Sequence, residues 1–171
     1  MASKTNFSTD EWHILREAPH LVVLGVASAG GSGLFGSLKE AIAPAATLIE
    51  ALKGNNQLLR ELCDKEEIKS SVEAIKSSME SQARAAGDFA SVQAAFRKAA
   101  TDQSRAALEL LKQKGSPEDV AAYRDFLMKL GDKVANAAKE GAFLGFGGER
   151  VSEHERTLLA ELAQAVGAPQ A

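Results

Sequence analysis

Five stretches of this chain carry one local pattern: Ser or Asp, then Glu or Asp three residues later, at the head of an apolar periodic segment. They are Ser8…Glu11, Ser37…Glu40, Asp64…Glu67, Ser116…Asp119 and Ser152…Glu155. In such a capping box the first side chain accepts a hydrogen bond from the third helical N–H, and the acidic side chain reaches back to the first residue's N–H. Each pattern therefore predicts a helix start. Pro117, at the first helical position, strengthens the fourth.

Glycines supply matching stops. Gly30, Gly54, Gly115, Gly141 and Gly167 each follow a helical segment and can adopt the left-handed conformation that ends one. Pro19 predicts a boundary between a short helix over about 9–17 and a second starting there, because the residue before proline disfavours helical geometry. Pro44 predicts a kink or a delayed start in the helix headed by Ser37.

The spacing of apolar residues is helical throughout. Ile68, Val72, Ile75, Met79 and Gln82 are spaced 4-3-4-3, and Phe89, Val92, Phe96, Ala99, Gln103, Ala106 and Leu110 continue a coiled-coil-like seam. Gly87-Asp88 marks a break between the two, although one long helix through Gly87 would cost only about 1 kcal/mol. Val120, Tyr123, Leu127, Leu130, Val134 and Ala137 give the next helix its apolar face, and Leu158, Leu159, Leu162, Ala163 and Val166 the last. No segment alternates with period two, so no sheet is expected. Small residues at Ala99, Ala106, Ala137 and Ala163 let helices approach closely.

The expected fold is all-α: an antiparallel bundle of about six to eight helices in one domain over 1–171, with 1–7 and 168–171 as loose tails. The Pro19–Ala29 segment is expected near its centre.

The chain also shows an internal pseudo-repeat. Leu21–Ala29 leads into Gly30-Gly-Ser-Gly-Leu-Phe-Gly36 and the Ser37 box; Val134–Ala138 leads into Gly141-Ala-Phe-Leu-Gly-Phe-Gly-Gly148 and the Ser152 box. Turns are normally polar, so Leu34, Phe35, Phe143, Leu144 and Phe146 stand out. They either pack inward, sealing one end of the bundle, or form an apolar patch for a partner or ligand; large exposed patches are rare, which favours packing. Lys39 and Arg150 lie near helix starts that could hold a small anion, but Glu40 and Glu155 already complement those helix dipoles. Leu34, Phe35, Phe143, Phe146 and Arg150 are thus the candidate ligand- or partner-binding residues.

Chemistry of other kinds is poorly supported. Gly31-Ser-Gly-Leu-Phe-Gly36 matches the dinucleotide fingerprint literally, but no second strand or acidic ribose partner follows, and Ser37 occupies the lysine position of a phosphate-binding loop. Glu17-Ala-Pro-His20 has the spacing of a di-iron motif without the further ligands such a site needs. No nucleophile elbow or Ser/His/Asp order is present. No catalytic residue, metal ligand or cofactor is assigned. Cys63, near Arg60 and Lys65, reads as an isolated structural thiol.

A net charge of −3 argues against nucleic acid or an anionic membrane as the main partner. The longest apolar run is well short of the roughly 20 residues of a membrane span. One cysteine and no secretory signal suggest a cytoplasmic protein.

Glu140-Gly141, Val151-Ser-Glu-His-Glu155, Leu158 and Leu162 together resemble the helical repeat of tellurite-resistance TerB-like domains. That resemblance covers about 30 residues and implies an all-α domain with two related halves. It also implies a metal ion or small ligand held by acidic residues near a turn, with Glu140 and Glu155 in the acidic positions. The residues themselves suggest instead a non-enzymatic helical protein that binds a protein partner or forms a homo-oligomer.

Overall fold

The computed structural model describes residues 1–29, 38–85, 88–141 and 151–168. Among these residues the chain is all-helical. A 3-10 turn at Lys4–Asn6 precedes seven helices: α1 (Thr9–Ala29), α2 (Leu38–Lys53), α3 (Gln57–Leu62), α4 (Lys65–Ala85), α5 (Phe89–Lys114), α6 (Pro117–Gly141) and α7 (Glu153–Val166).

The boxes at Ser8, Ser116 and Ser152 form as the sequence predicts. Ser152 N–H donates to the Glu155 carboxylate at 2.8 Å, and Glu155 N–H donates to Ser152 Oγ at 3.2 Å. The Ser37 box lies outside the described residues. Asp64 differs: it accepts from Glu66 N–H at 2.9 Å, while Glu67 turns inward to α1. Asn56 and Asp88 cap α3 and α5 in the same manner. The cap at Asp88 makes the 65–114 region two helices.

Gly167 ends α7 in the left-handed region, at φ 65°. Gly115 ends α5 in an extended conformation, not a left-handed one. Its value is close approach, because a Cβ there would lie 2.9 Å from the Leu111 carbonyl oxygen.

Helix α1 is the axis of the molecule and packs against α4, α5, α6 and α7. Leu15, Ala18, Pro19, Val22, Gly25 and Val26 are buried along it. At Gly25 the neighbouring helix comes so near that a Cβ would sit 3.0 Å from the Ala100 Cβ.

Pro19 does not divide this segment; α1 runs through it. The physical reason is compensation. Proline has no N–H for the Leu15 carbonyl four residues back, and the Tyr123 hydroxyl of α6 donates to that carbonyl at 2.6 Å. The carbonyls on either side are also served from other helices. Ser71 Oγ of α4 donates to Arg16 O at 3.2 Å, and Gln103 Nε2 of α5 to Ile14 O at 3.5 Å. Helix α2 likewise continues through Pro44 from Leu38, with no delayed start.

The α6 and α7 faces match the sequence pattern. The α5 seam does not. After Phe96 the buried stripe moves one residue on, to Ala100, Ser104, Ala107 and Leu111, leaving Ala106 exposed and Ala99 and Gln103 partly so. Gln103 is turned to the Ile14 carbonyl, so it serves a backbone acceptor and not the seam.

Residues 1–7 are not a loose tail. Ala2 is buried and its N–H donates to the Asp119 carboxylate at 2.7 Å. Lys4 N–H donates to Glu61 at 2.6 Å, and the Lys4 ammonium pairs with Glu67 while lying 5.7 Å from the centre of the Trp12 ring. At the other terminus, Ala168 packs on the core and 169–171 lie outside the described residues.

Candidate functional site: the cleft between α2 and α4

Helices α2 and α4 are carried by different parts of the bundle. The α2 helix rests on α6, tied there by Glu50 and Lys129 at 2.6 Å. The α4 helix rests on α1, through Glu67, which accepts from Trp12 Nε1 at 3.0 Å and from Arg16 at 3.4 Å. The short α3 joins them, and among the described residues α2 and α4 make no extensive contact with each other.

The result is an open cleft of about 220 Å³ lined by Leu48, Ile49, Leu52, Cys63, Lys65 and Ile68. Its walls are apolar and wet. Ile49 is 51% exposed, Leu52 43%, and Val72, one turn along α4 from Ile68, 51%. Isolated exposed apolar residues are ordinary, but a contiguous set lining a concavity marks a contact surface.

The helix predicted from the 4-3-4-3 spacing is present as α4. The Ile68–Val72 part of its 4-3-4-3 seam does not enter the core. The core-facing edge of α4 is Ser71, which is fully buried, with Glu67 a turn before it. Side chains of Ile75, Met79 and Gln82 lie outside the described residues.

The cleft floor has no reactive nucleophile. Burial pushes the Cys63 thiol up to about 12, so it stays protonated despite the cations near it in sequence. The edge, in contrast, is basic. Lys65 lines the cleft itself. Helical spacing places Lys69 and Lys76 beside Ile68 and Val72, and Lys53 one turn beyond Ile49. All four are exposed, and among the described residues none forms an ion pair.

Other polar clusters are already satisfied. In the shallow groove between α5 and α7, Arg97 forms a double hydrogen bond with Glu161, and Asp102 pairs with both Lys98 and Arg105. Burial would raise the Glu67 carboxyl, but donors from Lys4, Trp12 and Arg16 outweigh it and hold it below the usual range. This cluster fastens the N-terminal segment to α1 and α4.

The residues singled out from sequence fare differently. Leu34, Phe35, Phe143, Phe146 and Arg150 lie outside the described residues. The helices around both Gly/Phe turns, however, converge on one end of the bundle. Tyr123 lies by Leu15, and Gly131 lies near Val22, so α1 and α6 run the same way. Glu50 opposite Lys129 and Asn56 opposite Asp119 set α2 antiparallel to α6. Leu158 by Gly25 and Leu159 by Gly131 bring the start of α7 to the same end.

The apolar run before the Gly31–Gly36 fingerprint is helix, where a dinucleotide site requires a strand. Glu155, an acidic position implied by the TerB-like resemblance, is buried with its carboxylate held by the Ser152 N–H and hydroxyl. The Glu140 side chain lies outside the described residues. Among those residues no three His, Cys, Asp or Glu side chains gather in a ligand set, and no helix is long and apolar enough to cross a membrane.

His20 of the Glu17…His20 pair is pushed down to about 4 by burial, with the Arg16 charge adding to the effect. An unfolded chain has its histidine near 6.5 and so binds more protons than the fold between those values. This contribution to stability is complete above about pH 6.5 and is lost as the pH falls towards 4. At about 1.4 kcal/mol per pH unit between the two values, the loss is on the order of 3 kcal/mol at most. His20→Gln should flatten the urea midpoint over that range relative to the parent protein. Parallel pH profiles would count against this placement of His20.

Sequence reasoning missed the cleft because the 4-3-4-3 spacing of α4 marks an apolar helix face without saying what covers it. The available signal was the flank: lysines at 65, 69 and 76 on the side of Ile68 and Val72, with Ile49 and Leu52 at i, i+3 on a second helix. Comparison with known proteins gives no relative to lean on, as no family model, curated protein or solved structure is significantly similar to this chain.

Proposed function

We propose that this is a non-enzymatic helical binding protein, working in the cytoplasm, whose contact surface for another polypeptide is the α2/α4 cleft. The observation that carries the reading is the exposure of Ile49, Leu52 and Val72 along two helices that, among the described residues, face each other without extensive contact. A concave apolar groove between helices suits an amphipathic helix laid into it. The alternatives of self-association and capture of another protein use the same surface.

Site-specific photocrosslinking in cells tests this. A benzophenone amino acid at Ile49 or Val72 should yield discrete protein adducts, and the same group at Lys112, exposed on α5, should not. Equal or absent adducts at all three positions would reject the cleft as a binding surface.

A further inference from the structure

We infer that the cleft's occupant is an amphipathic helix of another protein whose apolar seam is flanked by acidic residues, and not a second copy of this chain. The inference rests on the proposed binding role of the cleft and adds the chemistry of what it binds.

Charge carries the argument. The apolar strip is edged by Lys65, Lys69 and Lys76 on α4 and by Lys53 on α2, all exposed and none paired among the described residues. Elsewhere Lys4, Lys98, Lys112, Lys114 and Lys129 each hold a carboxylate. A rim of free like charges around an apolar groove favours a helix presenting opposite charges beside its seam and disfavours one presenting the same sign.

The same rim works against self-pairing. If Ile68 and Val72 formed the seam of a coiled coil with a second α4, Lys69 and Lys76 would fall at the e positions that flank it. The g positions hold Asp64, Ser71 and Ser78. Asp64 already caps α4 through Glu66 N–H, and Ser71 is buried against α1. In a parallel pair Lys69 would meet the capping Asp64 and Lys76 the buried Ser71, and in an antiparallel pair the lysines would meet one another. Lys76 finds no carboxylate in either arrangement, and Ser71 could face a partner only by leaving α1.

The test uses the full chain and three synthetic helical peptides with identical Leu/Ile seams and Glu, Gln or Lys at every e and g position. Fluorescence anisotropy at low salt should show the Glu peptide binding at least tenfold more tightly than the Lys peptide. That preference should shrink as salt is added. Lys65→Glu/Lys69→Glu/Lys76→Glu should invert it, with helix content by circular dichroism confirming that this variant stays folded.

Equal binding of all three peptides would overturn the acidic-partner inference while leaving the cleft as a binding surface. So would a concentration-dependent dimer in sedimentation that Val72→Asp abolishes, with no peptide binding. Failure of every peptide, a monomer at all concentrations and no adducts at Ile49 or Val72 would remove both readings. Binding to anionic vesicles with none to the Glu peptide would also overturn the inference, in favour of a lipid surface.

Discussion

Tyr123→Ala should cost about 4–5 kcal/mol, the largest effect of any single change considered. The ring is fully buried, and truncating a buried aromatic costs about 3–5 kcal/mol on its own. Its hydroxyl also serves the Leu15 carbonyl that Pro19 leaves without a helical donor, and an unsatisfied buried carbonyl adds about 1–3 kcal/mol. Tyr123→Phe isolates this second part.

The diagnostic comparison is a double-mutant cycle. Pro19→Ala restores an N–H to α1 at the position that faces the Leu15 carbonyl. In that background Tyr123→Phe should become milder by roughly 1 kcal/mol or more. If denaturation gave the same cost for Tyr123→Phe with proline and with alanine at position 19, the hydroxyl would not be compensating for the proline.

Asp119→Ala should be the second largest, at about 3 kcal/mol. This carboxylate is fully buried and accepts from Ser116 N–H and Oγ, Ala2 N–H and Asn56 Nδ2. Loss of a helix cap costs about 1 kcal/mol, and the stranded Ala2 and Asn56 donors add about 1–3 kcal/mol. The change should also release the N-terminal segment, read as faster amide exchange at residues 2–7 with α5 and α7 unaffected. Retained protection there would show that Lys4 with Glu61 and Glu67 suffices.

Acid gives an independent check. Burial alone would raise the Asp119 carboxyl, but the Ser116 and Ala2 N–H groups and the Asn56 amide hold it below the ordinary aspartate range. The unfolded carboxyl therefore takes up its proton first as pH falls. The stabilisation is complete above about pH 4, the ordinary aspartate value, and disappears as the pH drops through the lower folded value. Asp119→Asn should lack this component of acid sensitivity.

These cases show which parts of the structure were legible beforehand. Caps and glycine stops are local, so Ser8, Ser116, Ser152 and Gly167 could be placed from a few adjacent residues. The faces of α6 and α7 were also legible, because each buries one unbroken stripe. Pro19 was misread because what rescues it is 104 positions away in sequence, at Tyr123. The docking of residues 1–7 likewise depends on Glu61, Glu67 and Asp119, which no local pattern announces.

The cleft was hidden for a different reason. A 4-3-4-3 spacing says that a face is apolar and not what covers it. On α4 the polar residue Ser71 was needed inward to reach the Arg16 carbonyl, and this turned Val72 outward. The pattern was correct as a helix and silent about its partner.

The way α1 is satisfied also sets a schedule for synthesis. It precedes in the chain every helix that packs on it, and its central carbonyls wait for Ser71, Gln103 and finally Tyr123. Tyr123 is 108 residues after Leu15. At about 5–20 residues per second, roughly 5–20 s separate the emergence of this apolar helix from that of its last hydrogen-bond donor. Throughout that interval Leu15, Val22 and Val26 have no completed core to enter. The nascent chain thus presents a sticky helix to the ribosome surface and to any chaperone waiting there. Ribosome-bound chains halted before residue 123 should be markedly more protease-sensitive in α1 than chains released after α7.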